Sequence, residues 1–195
     1  VLTKARFVEA DVDAGGRQVR AVYVETDDGS RMRVEAPLFV DATADIYLAR
    51  HIGCDHTIGP EGPRVYGEAS ASTEGGLVLN NASPCYRVAP LAPGEAPSIE
   101  PDADCDVTEE QIRPVTSIRT YPNGDLNMNP LHLMTGLEAF ELGSRARETA
   151  FARARLHWRV MQTRYGFDTH KRVWMSPALG VRETHRFVGR YVLKE

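Results

Sequence analysis

The densest chemistry in the sequence lies near its end, where Arg182, Glu183, His185 and Arg186 fall within five positions. Guanidinium forks grip carboxylates and phosphates bidentately. Arg182 and Arg186 are therefore candidates to hold an anionic group, with Glu183 to orient one of them. The competing reading is an ion-pair network internal to the fold. A second candidate is Asp41-Ala42-Thr43-Ala44-Asp45, whose small residues would let a ligand approach the backbone closely. The plainer reading is a strand-to-helix turn with an Asp cap. A third group is Asn127, Asn129 and His132. Asn129 and His132 are candidates for a substrate wall, although an ordinary loop histidine is the simpler account of His132.

Other chemistries find less support. Residues 91–110 carry seven carboxylates and no basic group. Asp102 and Asp104 are spaced like cation ligands, but the EF-hand glycine and terminal Glu are missing. The segment reads as a solvated, Pro-rich loop, and no metal site is expected. Cys54, Cys85 and Cys105 lie far apart without CxxC spacing, which argues against a disulfide framework and fits a reducing compartment, the cytoplasm. No GxSxG elbow, HExxH helix or Cys–His arrangement points to hydrolytic or lyase chemistry.

The elements that must position these residues are legible in part. Phe7–Val12 and Val19–Val24 read as strands joined by the turn at Asp13–Arg17. After a second turn at Asp27–Ser30, Met32, Val34 and Ala36 alternate with charged residues as in a half-buried strand. Leu38-Phe39-Val40 is continuously apolar and is expected to form a strand buried on both faces. Ile46–Ile52 reads as a short helix closed by Gly53. Cys85–Val88, Val115–Arg119 and Leu126–Asn129 read as strands, the last two forming a hairpin around Tyr121–Asp125. Residues 137–165 carry a stripe of Ala139, Leu142, Ala146, Ala150, Ala154, Trp158, Met161 and Tyr165 at helical spacing. Arg145, Arg147, Arg153, Arg155 and Arg159 lie mostly off that stripe and read as a solvated cationic face.

The chain has 195 residues, 42% of them hydrophobic, enough for one large or two small domains. No run approaches about 18 apolar residues, so no membrane span is expected. The net charge of −4 argues against a nucleic-acid binder. Residues 1–136 hold 11 basic and 21 acidic residues, a balance of −10, while residues 137–195 hold 12 and 6, a balance of +6. Either the two parts attract each other or the cationic part faces an anionic ligand.

Two runs resemble a known family. FVDATADIYLARHIGCDHTIG, from residue 39, is similar to a segment reading roughly IDATGDGDLAALAGA in FAD-dependent oxidoreductases with the glutathione-reductase-type flavin fold. LGVRETHRFVGRYVLKE, from residue 179, is similar to that family's GVRESRRIVGEYVLT. The resemblance implies that Ala42, Thr43, Ala44 and Asp45 lie beside the FAD, with Ala44 where the family usually has Gly. It implies that Arg182, Glu183 and Arg186 are the polar, catalytic members of a segment facing the flavin, with His185 where the family usually repeats Arg.

The fold implied is mixed α+β. An antiparallel meander and part of an FAD/NAD(P)-binding domain, residues 1–53, are joined to a substrate-domain region with a long helix, residues 54–195. The function implied is FAD-dependent oxidation or reduction of an anionic small molecule. The alternative is a non-catalytic domain that binds an anionic ligand or partner through its Arg-rich C-terminal part. No GxGxxG fingerprint places a pyrophosphate on a helix terminus: Gly15-Gly16 is a hairpin turn and Gly75-Gly76 lacks the pattern. The chain begins at Val1 rather than Met. It is expected to be a soluble central piece of a larger flavoprotein, inactive alone, not retaining FAD alone and partnered by the remainder of its parent.

Overall fold

The computed structural model describes residues 1–16, 18–69 and 76–191. Arg17 of the first turn, Gly75 and the last four residues of the second family-like run lie outside them. In chain order the elements are β1 (Ala5–Val12), β2 (Val19–Thr26), β3 (Arg31–Glu35), α1 (Tyr47–His51), β4 (His56–Ile58), α2 (Pro63–Tyr66) and β5 (Tyr86–Pro90). There follow β6 (Thr116–Thr120), β7 (Leu126–Pro130), α3 (Gly136–Leu142), a 3-10 turn at Gly143–Arg145, α4 (Ala146–Arg164), β8 (His170–Met175) and β9 (His185–Phe187). Contacts group these into two compact units, Val1–Gly76 with Thr184–Glu195, and Leu77–Glu183. Residues 54–69 and 184–191, expected with the substrate part, thus group with the first unit.

In the first unit β1, β2 and β3 form the expected antiparallel meander, with Val22 opposite both Ala10 and Val34. Arg6 pairs with Glu25 across β1 and β2 at 2.7 Å, and Arg33 with Asp11 at 3.2 Å. Exposed pairs of this kind are screened by solvent and add little to stability. The strand expected at residues 38–40 is absent: Leu38 and Val40 are 84% and 88% exposed, in irregular backbone. An apolar run is buried on both faces only when strands flank it, and none of the described residues pairs with this one. Two elements without a sequence signal, β4 and β9, form an antiparallel pair with Thr57 opposite Arg186.

The second unit is built on a four-stranded antiparallel sheet in the order β6-β7-β5-β8. Tyr86 and Val88 of β5 and Met128 of β7 pack on Ala154, Trp158 and Met161 of α4. The single helix expected over 137–165 is broken at Gly143, whose φ of 55° lies where side-chain-bearing residues are rarely found. At the start of α3, a Cβ on Gly136 would sit 2.3 Å from the Asn80 carbonyl oxygen, so only glycine permits this approach.

Of the five arginines expected on a solvated cationic face, Arg145 and Arg147 are exposed, but Arg153, Arg155 and Arg159 are held by carboxylates. The Arg153 guanidinium, 9% exposed, spans the Asp106 carboxylate at 2.9 and 2.5 Å, Glu138 at 2.6 Å and the Leu133 carbonyl at 2.7 Å. Arg159 reaches Glu109 at 2.9 Å and the Glu100 carbonyl at 3.0 Å. Arg155 and Arg172 both bind Glu100, and Arg164 pairs with Glu109 and Glu110. Residues 91–110 are accordingly a strap laid on α4 rather than a solvated excursion. The opposed charges inside this unit attract each other, the plainer of the two readings of the charge asymmetry. Hydrogen bonds to Arg153 hold the Asp106 carboxyl below its ordinary range against the cost of burial.

Beneath the strap, the Tyr86 hydroxyl meets His157 Nδ1 at 2.7 Å in the core. Burial pushes the His157 pKa from 6.5 down to about 4, so the ring is neutral at physiological pH. Two outcomes are expected. Replacing Arg153 by Ala lowers stability by about 2–3 kcal/mol, because two carboxylates and a carbonyl lose a nearly buried donor; an unchanged urea midpoint would contradict this. The unfolded state binds the His157 proton more tightly, so stability falls as pH drops from 6.5 toward about 4. In thermal melts His157→Gln should be less steep over that window than the parent.

Candidate functional site

The first family-like run and the part of the second from Thr184 onward meet in the first unit. The Asp41 carboxylate accepts hydrogen bonds from the Thr43 amide (3.0 Å) and hydroxyl (2.6 Å), and from the α1 amides of Leu48 (3.0 Å) and Ala49 (3.1 Å). Asp41 thus caps α1, whose own N-cap position, Ile46, offers no side-chain bond and sits strained at φ 45°. Burial pushes the Asp41 carboxyl up, but these four bonds outweigh it and hold it below the ordinary carboxylate range.

Asp45 joins the runs. Its Oδ1 lies 2.7 Å from Nδ1 of the buried His185, and its Oδ2 pairs with Arg50. The Thr184 hydroxyl is 3.5 Å from the Ala44 carbonyl oxygen. Burial raises the Asp45 carboxyl, yet hydrogen bonds from Thr184 and His185 and the Arg50 charge leave it net lowered. The His56 ring packs edge-on to His185 at 5.0 Å. Arg186 points elsewhere, donating to the Gly59 carbonyl and to Glu61 at 2.9 Å. Ala42, Thr43 and Ala44 are exposed. Beside Asp41 a pocket of about 510 Å³ opens among Leu38, Phe39, Ile46, Leu48 and Phe187.

Arg182, Glu183, Asn129 and His132 belong to the second unit, gathered around residues 80–85. That segment is bridged to Met134 through Ala82 and to Gly180 through Ser83, with amide–carbonyl distances of 3.0–3.2 Å. Glu183 accepts from the amide and side chain of Asn80 at 3.1 and 3.2 Å. Asn129 Oδ1 lies 3.4 Å from the Cys85 thiol, and His132 Nδ1 lies 3.5 Å from the Asn81 amide nitrogen. Burial raises the Cys85 thiol pKa, and the positive charge of Arg182 opposes it. Arg182 is exposed and forms no ion pair among the described residues. The hydroxyl of Ser83 is buried with no hydrogen-bond partner among them.

Asn80, Asn81 and Cys85 were not expected at a site. They fall in a stretch whose only signals are glycines and the strand-like patch from Cys85 to Val88. Among the described residues no three His, Cys, Asp or Glu side chains group as a metal site, and no helix is long and apolar enough to cross a membrane.

The family model described as FAD dependent oxidoreductase matches residues 1–195, and the chain belongs to that family. No curated protein and no solved structure gives a significant match. The donor set at residues 41–45 fits one part of the cofactor. Exposed small residues at 42–44 suit close contact with a flavin nucleotide. A pyrophosphate does not fit at the start of α1, because the Asp41 carboxylate already takes those amides.

The His185–Asp45 contact makes a direct prediction. Replacing His185 by Ala removes a buried partner of a half-buried carboxylate and should lower stability by about 1–2 kcal/mol in urea unfolding. No loss would mean that the two runs do not depend on each other.

Proposed function

We propose that this chain supplies one edge of the FAD site and the substrate wall of a flavoprotein oxidoreductase acting on a small molecule with an anionic group. FAD supplies the two-electron redox chemistry when bound. Ala42, Thr43 and Ala44 would hold one side of it by backbone-close contact, while Asp45, tied to His185, fixes the geometry of that turn. The glutathione-reductase-type fold suggested by the two runs is part of this reading, as is help from the remainder of the flavoprotein in retaining the cofactor.

Support for the substrate reading comes chiefly from Arg182, an exposed cation without an ion pair among the described residues, near the polar pair Asn129–Cys85. It would bind and orient the anionic group. Asn129 and His132 would line the same wall. Glu183 and Arg186 are assigned positioning roles: Glu183 by fixing Asn80, Arg186 by fixing the 59–61 turn. The alternative, a non-catalytic anion binder acting through the Arg-rich part, loses support. Arg153, Arg155, Arg159, Arg164 and Arg172 all have carboxylate partners.

The test is Arg182→Lys in the FAD-loaded protein, assayed with redox dyes on a panel of small carboxylates. A bidentate fork replaced by a point charge should lower kcat/KM about 10- to 100-fold, mainly through KM, at unchanged flavin content. Unchanged kinetics would remove Arg182 from the site.

A further inference from the structure

The face of the second unit's sheet turned away from α4 carries a row of side chains that the reading above does not use. Arg119 lies opposite Asn127, Asn127 opposite Arg87, and Arg87 opposite Trp174. Directly opposed residues share a face. Tyr86, Val88 and Met128 take the core side, so the row Arg119–Asn127–Arg87–Trp174 crosses all four strands on the outer side. A β-bulge opposite Arg87–Val88 adds one residue to β8, and Val173 and Trp174 are both about half exposed there. The β6–β7 turn brings Tyr121, Asn123 and Asp125 to the same end. A pocket of about 510 Å³ is lined by Arg87, Tyr121, Asp125, Val173 and Trp174.

We propose that this pocket binds carbohydrate, taking a neutral pyranose ring against Trp174 with vicinal hydroxyls on Arg87 and Asp125. The Arg87 guanidinium is flanked on three sides, while its buried Nε makes no hydrogen bond among the described residues. Its Nε lies 2.6 Å from the Asp125 carboxylate, its plane sits 4.3 Å over the Tyr121 ring, and it donates to Asn123 at 3.4 Å. Asp125 is 8% exposed, so a rigid donor and a nearly buried acceptor stand side by side at the pocket floor. A sugar hydroxyl both donates and accepts, and a vicinal pair can engage such a donor and acceptor together.

The walls suit the same ligand. Trp174 is the open aromatic surface, whereas one face of Tyr121 is covered by Arg87. A pyranose has one apolar C–H face for the indole and a polar rim for the floor. A flat aromatic ligand would find no second open ring to close a sandwich. A bare anion would find the Arg87 charge already neutralised by Asp125. The proposal rests on this unit's own residues and does not depend on the reading of the flavin chemistry.

The chain has two tryptophans; Trp158 is buried and Trp174 is 49% exposed, so the emission change that Trp174→Ala abolishes reports on the pocket. The flavoprotein carrying this chain is titrated with cellotriose, mannotriose and methyl β-glucopyranoside, by tryptophan emission and by calorimetry. At least one should give saturable binding with a Kd of about 1 mM or tighter. The affinity should be unchanged in about 0.5 M NaCl. Trp174→Ala, a surface change that leaves the core intact, should weaken binding at least about tenfold by calorimetry, and Asp125→Asn should do the same. The proposal is overturned if none of the three saturates up to about 50 mM. It is overturned equally if binding survives Trp174→Ala, or if inorganic phosphate competes for the pocket. Should Asp125→Asn fail to fold by circular dichroism, the Trp174 variant decides.

Discussion

Arg153 is the residue on which the second unit turns. A guanidinium almost removed from water is tolerable only with its charge and donors satisfied, and here Asp106, Glu138 and the Leu133 carbonyl do so together. Each partner belongs to a different piece of chain. Asp106 lies on the acidic strap, Glu138 opens α3, and Leu133 stands between His132 and the Met134 bridge. From Met134 the order passes through backbone bonds to Ala82, through Ser83 to Gly180, and so to Arg182 and Glu183. The proposed substrate wall thereby stands on elements fixed from the core, as a site needs if its side chains are to be held in place.

The first unit solves a similar problem with carboxylates. Asp41 and Asp45 bracket three exposed small residues, and each is tied off internally: Asp41 to the α1 amides, Asp45 to His185 and Arg50. The turn is held from both ends while its middle stays open. The strained φ of Ile46 sits at the same turn, where surrounding hydrogen bonds over-determine the backbone.

Local patterning carried much of the fold. The meander, α1 and the β6–β7 hairpin are legible because alternation and turn residues are short-range signals. What escaped depends on partners distant in sequence. The β4–β9 pair joins three-residue segments more than a hundred positions apart. β8 reads as polar because Arg172 is accommodated by Glu100, a neighbour invisible in one dimension. The arginines of α4 look solvated for the same reason. Gly143 interrupts a strong helical stripe that periodicity alone carries through. At the proposed site, residues 41–45 and 182–186 stand out by type in the sequence; their neighbours Asn80, Asn81 and Cys85 do not, because the contacts that gather them span about 45 to 100 positions. Leu38–Val40 shows the converse, an apolar run whose expected burial needs flanking strands.

The claim tested most directly is that residues 42–44 lie against FAD. The measurement is the visible absorption spectrum of the flavoprotein carrying this chain, beside its Ala44→Leu variant. Ala44 is exposed, so the larger side chain costs the fold little and crowds only a close ligand. The account predicts a yellow protein with oxidised-flavin bands, and a variant that melts at the same temperature but retains clearly less FAD. A colourless parent after incubation with FAD, or a variant that keeps its full complement of flavin, would contradict it.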